Sequence, residues 1–282
     1  MQSTERITIT AIIINIILFI AKFIVGIISN SISLLSDALN SFIDIFSSII
    51  VHIAVKISGK KADEDHPFGH RRAEPLAALT VAILTAVLGF EIAKTAIFGF
   101  FTPRKDTIGL LAIIILLINI AIKAVITVYF TKKAEQQNSP ALKATGIDAS
   151  NDILVSIIAL IGVAGTYLGY SPLDNIAALI ISGFILYFGY KFAVENIDYL
   201  MGKSPPVKFL ENIKSSALKI TEVKGVNTLR AHYVGNYVHV EIHIEVNKNI
   251  STKESHDIGK KVQRHLETIK GIEKAFVHID PI

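Results

Sequence analysis

Six long runs of mostly apolar residues constrain the fold of this chain more than any other feature. Each run reaches the length of about 20 residues that an α-helix needs to cross a membrane. In lipid, the backbone must satisfy its own hydrogen bonds, so such runs form helices. The runs cover residues 7–28, 32–57, 73–99, 108–131, 141–169 and 172–195. The first 201 residues are therefore predicted to form a bundle of six transmembrane helices.

The last part of the chain, residues 206–282, alternates apolar and charged residues as a water-exposed domain does. A capping box, Ser251 to Glu254, begins one of its helices, and a Gly235-Asn236 turn joins two strands. The predicted order is a helix at 207–219, strands at 226–234 and 237–246, a helix ending near 269 and a strand at 272–279. We expect an α-helical membrane protein that is followed by a small α+β domain.

The basic residues lie mainly in the short segments on one side of the predicted helices. By the positive-inside rule, this side faces the cytoplasm, together with both termini and the α+β domain. It carries Arg6, Lys56, Lys60, Lys61, Arg71, Arg72, Lys132, Lys133, Lys143, Lys191 and Lys203, and the other side only Arg104 and Lys105. The same distribution argues against nucleic acid as the partner of this chain, despite its net charge of +4. The chain has no cysteine, which excludes thiolate metal sites.

Carboxylates occur inside two of the predicted membrane helices. Asn40 and Asp44 stand four residues apart, as do Asp148 and Asp152, so each pair shares one helical face. A charged residue at this depth costs about 2.5–3.5 kcal/mol on insertion scales, and a bound divalent cation would offset that cost. The alternative is that these side chains are hydrogen-bond contacts between helices, a role that Ser and Thr fill at lower cost.

Two further clusters carry histidine outside the membrane helices. In the loop after the second helix, His66 and His70 lie near Asp63, which suits a divalent metal but is also common in solvated loops. In the α+β domain, His243 and Asp280 lie on strands and His256 on a helix. The alternative for the strand residues is a polar sheet face that is exposed to water.

Several of these motifs, in this order, resemble the cation diffusion facilitator family over nearly the whole chain. They are residues 30–44, 65–74, 148–152, 196–202 and 277–281. The resemblance implies a homodimer in the cell membrane that exports a divalent metal ion from the cytoplasm in exchange for protons, by alternating access. It implies a secondary active transporter and not an enzyme. No prosthetic group is expected, and the metal is the substrate and a candidate regulator.

The resemblance also assigns three groups of metal ligands. The transport site would be Asn40, Asp44, Asp148 and Asp152; the loop site Asp63, His66 and His70; and the C-terminal site His243, His256, His278 and Asp280. Asn227 stands where relatives with two zinc ions in this domain carry a further histidine. Arg72 and Asp198 match positions that form a charge pair in the family, and they are also readable as ordinary charges next to the membrane.

The transport residues favour manganese as the ion. Zinc-transporting members commonly have histidine at the first position of one or both pairs, and here Asn40 and Asp148 stand there. Carboxylate and amide oxygens suit Mn²⁺ better than Zn²⁺. Zn²⁺ and Fe²⁺ are the alternative substrates. From other classes of protein, a membrane metallohydrolase would need helical histidine ligands with a water-activating glutamate, and a channel would need a weaker cage than three aspartates.

Overall fold

A computed structural model describes residues 2–101, 109–137 and 140–282, and the side chains in these ranges except those of 2–12, 134, 137 and 140–145. Arg104 and Lys105 lie outside the described residues, as do the side chains of Arg6 and Lys143. The membrane helices are α1 (Gln2–Ser29), α2 (Ile32–Ser58), α3 (Ala73–Gly99), α4 (Leu110–Gln137), α5 (Pro140–Tyr167) and α6 (Pro172–Leu200). Five have a long apolar span, and α1 has a shorter one, Ile13–Ser29. The prediction of six membrane helices followed by an α+β domain is confirmed.

The turn between α1 and α2 is held by a carboxylate from α6. Asn30 adopts a left-handed backbone, with φ of 55°, which lets the chain reverse in a single turn. Asp174 then accepts hydrogen bonds from Ser31 Oγ at 2.6 Å and from the backbone N–H of Ile32 at 2.6 Å, and also from Ser33. A helix N-terminus has unpaired N–H groups and a partial positive charge. Asp174 therefore caps α2 and ties it to α6.

A lysine in the middle of α1 joins that helix to α2. Lys22 is fully buried, and its Nζ lies 3.0 Å from Asp37 Oδ2. The two groups form an ion pair whose angles do not meet the criteria of a hydrogen bond. The same ammonium donates to Ser41 Oγ at 2.7 Å and to the Asp37 carbonyl at 3.3 Å. The three oxygens replace the hydration that a buried ammonium loses. The apolar core beside this pair contains Leu34, Ile92, Leu116, Ala159, Val163 and Ile181.

The C-terminal domain consists of α7 (Val207–Leu218), β1 (Gly225–Val234), β2 (Tyr237–Val246), α8 (Thr252–Glu267) and β3 (Ile272–Pro281). The sheet order is β1-β2-β3, with β1 antiparallel and β3 parallel to β2. Alternate residues of β2 are buried, and they pack with Ile213 of α7 and with Val262 and Leu266 of α8. The predicted capping box at Ser251 is present in both directions. Because each helix has one apolar stripe, both are packed with the same core of the domain.

By packing, the chain divides into two compact units, Met1–Ile50 with Thr80–Phe192, and Val51–Leu79 with Ala193–Ile282. Within the second unit, the loop before α3 is bonded to the sheet. Arg71 Nε donates to Glu273 Oε1 at 2.9 Å, and its guanidinium lies 4.1 Å from the ring centroid of Tyr237. Asn236 donates to Glu74 at 2.5 Å. The loop and the sheet are therefore one packing unit.

The Lys22–Asp37 pair generates a prediction about stability. Lys22→Met should lower the stability of the membrane bundle by about 3–5 kcal/mol, because it leaves Asp37 buried without its counter-charge. Adding Asp37→Asn should restore part of the loss. The measurement is the melting temperature in detergent. The control is Lys94→Met, since Lys94 pairs with Glu91 at an exposed position and should change stability by about 0–1 kcal/mol. Equal melting temperatures for Lys22→Met and the wild type would contradict the prediction.

Candidate metal-binding sites

The residues of α2 and α5 that are predicted to bind the transported ion meet at Asp152. Asn40 Nδ2 donates to Asp152 Oδ1 at 3.2 Å. The other oxygen, Oδ2, lies 2.5 Å from Lys123 Nζ, which comes from α4. Asp152 is buried, 7% exposed, and Lys123 is 4% exposed. The carboxylate is therefore paired with a neutral donor on one oxygen and an ammonium on the other.

Asp44 and Asp148 differ from Asp152 in both exposure and pairing. Their side chains are exposed on the isolated subunit, and within the described residues neither has an ion pair. Asp44 stands four residues after Asn40, and Asp148 stands four before Asp152, so each shares a helical face with the other member of its pair. The ligand atoms of Asp44, Asp148 and Asp152 do not form one of the groups of three that lie within 4.8 Å of each other. The structure thus joins Asn40 to Asp152 and brings the Asp44 carboxyl close to Asp152, but it does not close a cage around all four predicted ligands.

Next to this site, a buried chain of polar groups crosses the bundle. Asn119 Nδ2 donates to Ser156 Oγ at 2.6 Å, and Ser156 donates to Asp37 Oδ1 at 3.0 Å. Asp37 is also paired with Lys22. Through these contacts Asp37 links α2 to α1 and α5, and Ser156 extends the chain to α4.

Sequence reasoning missed Lys22 and Lys123. Both were within apolar runs, where an ionisable residue is itself a reason to expect a buried partner. Lys22 lies in α1 and Lys123 in α4, whereas the carboxylates lie in α2 and α5. A lysine within an apolar run, in a chain whose other apolar runs carry aspartates, is the signal that the sequence offers.

The loop residues predicted as a metal site do come together. Asp63 Oδ2 lies 3.3 Å from His70 Nε2, and Asp63 Oδ1 lies 3.5 Å from His66 Nδ1. The two rings have centroids 4.6 Å apart. A hydrogen bond from the His66 backbone N–H to Asp63, at 2.7 Å, lowers the pKa of this carboxyl and keeps it ionised as a ligand must be. One ligand atom of each residue lies within 4.8 Å of the others.

In the C-terminal domain, three of the four predicted ligands come together. His243 of β2 and His278 of β3 are register partners, with ring centroids 4.6 Å apart. Asp280 lies 3.3 Å from His278 Nε2 and 3.8 Å from His243 Nδ1. His256 does not join them: it lies exposed in the first turns of α8, outside the group of ligand atoms within 4.8 Å. Asn227 donates to Asp280 at 3.4 Å, so it contacts the cluster as an amide.

Farther along the same sheet face, a second pair of histidines, His232 and His239, packs in ring contacts. His239 is buried, and its ring lies 5.8 Å from that of His232 and 6.1 Å from that of Phe276. Burial lowers the pKa of His239, and the carboxylate of Glu273, 3.6 Å away, opposes the shift. His239 is therefore favoured as a neutral ring that lies outside the His243 cluster. A groove of about 510 Å³ on this face is lined by residues of both sets, among them His239 and His243.

The predicted charge pair between Arg72 and Asp198 is not formed in this subunit. Asp198 Oδ2 instead accepts from Lys203 Nζ at 2.7 Å. That hydrogen bond and the negative charge of Asp198 raise the pKa of Lys203. Asp198 is thus paired within the segment that leads from α6 into the C-terminal domain.

Comparison with known families gives two matches. Residues 8–201 match the cation efflux transmembrane domain, and residues 205–282 match the cation efflux protein cytoplasmic domain. A solved MamM C-terminal domain is 28% identical, covers 27% of this chain and 100% of its own, and has a TM-score of 0.26.

Curated relatives are similar over most of their length. The uncharacterized transporter MJ0449 of Methanocaldococcus jannaschii is 36% identical, with 81% of each chain covered. The manganese efflux system protein MneS of Bacillus subtilis is 28% identical over 82% of this chain and 80% of its own. MneP of the same organism is 28% identical over 80% and 79%. The chain therefore belongs to the cation efflux, or cation diffusion facilitator, family of membrane transporters.

Proposed function

We propose that this transporter exports Mn²⁺ from the cytoplasm, across the cell membrane, in exchange for protons. The observation that carries the proposal is the oxygen-only donor set of Asn40, Asp44, Asp148 and Asp152. No histidine or cysteine stands among these residues. The family match already gives a multi-pass transporter of divalent metals with a cytoplasmic C-terminal domain. The choice of metal is the step that goes beyond it.

The donor set favours Mn²⁺ by ligand chemistry. Zn²⁺ prefers tetrahedral sites with nitrogen or sulfur ligands, whereas Mn²⁺ accepts carboxylate, carbonyl and water oxygens. Asn40 currently offers its NH₂ group to Asp152, so its amide must turn before the oxygen can face an ion. Two relatives are named manganese efflux proteins, which supports the same ion. Zn²⁺ and Fe²⁺ are the alternatives, and the Irving–Williams order lets Zn²⁺ bind tightly even where Mn²⁺ is the ion transported.

The proposed cycle uses the different pairing of the carboxylates. Asp44 and Asp148 have no ion pair among the described residues, so both are available to an ion or to protons. When the bundle opens to the outside, protons compete with the ion for these oxygens. The ion leaves, and the protonated site can cross the low-dielectric interior at lower cost. Because no histidine is present, the coupling to protons runs through aspartates.

The loop and C-terminal clusters are proposed as regulatory metal sites. The loop cluster, Asp63 with His66 and His70, is exposed and offers one carboxylate and two imidazoles, a donor set that suits several divalent ions. The C-terminal cluster is His243, His278 and Asp280. We also propose a homodimer, which the cytoplasmic domain family supports. His256 is exposed on α8 and lies apart from this cluster, so it would bind only an ion that lies outside the cluster.

A metallohydrolase is disfavoured by the shape of the loop. The two histidines that it would use flank Pro67-Phe68-Gly69, and residues 59–70 form turns and no helix. Gly69 has φ of 81°, which is outside helical backbone. His66 and His70 therefore lack the helical face on which hydrolase ligands and their glutamate are arranged.

The ligand assignment predicts loss of transport in single variants. Asp44→Ala and Asp152→Ala should each abolish Mn²⁺ transport in proteoliposomes, because each removes an anionic oxygen that binds the ion. The dimer should stay folded by size-exclusion chromatography. Glu91→Ala, which removes an exposed carboxylate from α3, should transport normally. Near-normal Mn²⁺ transport by either aspartate variant would show that the site lies elsewhere.

The manganese assignment predicts a change in selectivity. Asn40→His, alone or with Asp148→His, should raise Zn²⁺ transport relative to Mn²⁺, because imidazole is the ligand that Zn²⁺ prefers. Rates are compared at matched free ion under one proton gradient, in the wild type and the variants. Asn151→His places the same ring one residue from the site and should leave the ratio unchanged. A wild type that moves Zn²⁺ faster than Mn²⁺, with a ratio that these variants do not alter, would refute the assignment.

The C-terminal cluster predicts two different outcomes for two histidines. His243→Ala should lose the rise in melting temperature that Mn²⁺ or Zn²⁺ gives to residues 206–282, because a metal stabilises the folded state only through its ligands. His256→Ala should keep that rise. We expect this fragment to fold and dimerise alone. A monomer that is indifferent to metal, or an unchanged response in His243→Ala, would count against the site.

A further inference from the structure

The transport site contains a cation that belongs to the protein. Lys123 is the residue of α4 that contacts Asp152, at 2.5 Å, and both side chains are buried. We infer that Lys123 is a tethered counter-cation, which binds Asp152 whenever the transported ion has left and yields it when the ion returns. The inference rests on the proposed function, and it assigns a positioning role to a residue outside the predicted ligands.

Competition follows from how Asp152 is already bonded. Its Oδ1 accepts from Asn40 and its Oδ2 is held by the Lys123 ammonium. A metal ion needs a free lone pair on a carboxylate oxygen, and it would lie next to the ammonium if both shared Oδ2. Two positive charges at that separation repel strongly in a medium of low dielectric constant. The ion can therefore use this oxygen only if Lys123 moves away.

The structure also offers a place for the displaced ammonium. Lys123 lies one helical turn after Asn119, and helical side chains lean towards the N-terminus of their helix. Asn119 Oδ1 is buried and has no hydrogen-bond partner among the described residues, while its Nδ2 is bonded to Ser156. An unpaired buried acceptor is costly. Lys123 has a flexible stem and three donors, so it could satisfy this oxygen while the ion occupies Asp152.

A fixed counter-charge would help the empty transporter to return after the ion has left. Without an ion and without Lys123, Asp152 would be left in the closed transporter as a bare buried carboxylate, which is strongly unfavourable, unless it took up a proton in addition to those on Asp44 and Asp148. With Lys123 on its Oδ2, the pair crosses with no net charge. Exchange of one bound ion for another does not include this step, because the site stays loaded in both directions. Lys123 is therefore needed for fast net transport but not for exchange.

The test compares net transport with exchange in proteoliposomes of the full-length protein. The probe is whichever of Mn²⁺ and Zn²⁺ the wild type moves faster, as the radioactive ion. In Lys123→Met, net movement into metal-free solution should fall at least about tenfold, while exchange with saturating ion on both sides should stay within about threefold. Equilibrium affinity for the ion should rise about tenfold, because the competing ammonium is gone.

Two further variants separate charge from structure. Lys94→Met, on the exposed face of α3, should match the wild type in every assay. Lys123→Arg keeps the charge and should retain net transport within about threefold. The inference fails if net transport and exchange fall together in folded Lys123→Met, if neither falls, or if folded Lys123→Arg loses net transport. If the wild type moves neither metal, it is the proposed function that fails.

Discussion

The membrane unit of this protein depends on the pairing of charges that lipid cannot solvate. Four carboxylates lie within α2 and α5, and two of them, Asp37 and Asp152, have a buried lysine at ion-pair distance. A buried ion pair contributes little net stability, but a buried charge without its partner is strongly destabilising. The two lysines thus separate the carboxylates into two groups: Asp37 and Asp152 have a buried cation, and Asp44 and Asp148 have none at ion-pair distance within the described residues. In the proposed function, the second group is the one available to the ion.

The two lysine pairs have the same chemistry but different surroundings. Lys22 contacts two oxygens of Asp37 and the hydroxyl of Ser41, and Asp37 also accepts from Ser156, so this pair connects α1, α2 and α5. Lys123 contacts the one carboxylate that also holds Asn40, a predicted ligand. The first pair therefore links helices, whereas the second lies among the residues that are predicted to bind the ion.

Outside the membrane, the loop and C-terminal clusters illustrate how turn and sheet geometry gather ligands. The loop reverses at Gly69, which brings His66 and His70 to one carboxylate. In the sheet, parallel pairing of β2 with β3 sets His243 beside His278, and Asp280 follows two residues later on the same face. Arg71, bonded to Glu273 of β3, places both clusters within one packing unit.

The sequence alone determined the six membrane helices, the order of elements in the C-terminal domain and the spacing of the two predicted ligand pairs, Asn40 with Asp44 and Asp148 with Asp152. These follow from local rules: the length of apolar runs, alternation along strands, a capping box, and the spacing of four that puts Asp148 and Asp152 on one helical face. Only the tertiary structure decided which residues meet across elements. It joined Lys123 to Asp152 and Asp174 to the start of α2, left His256 apart from His243, and paired Asp198 with Lys203 instead of Arg72. Spacing fixes the face of a single helix, but the neighbour of that face depends on packing between distant segments.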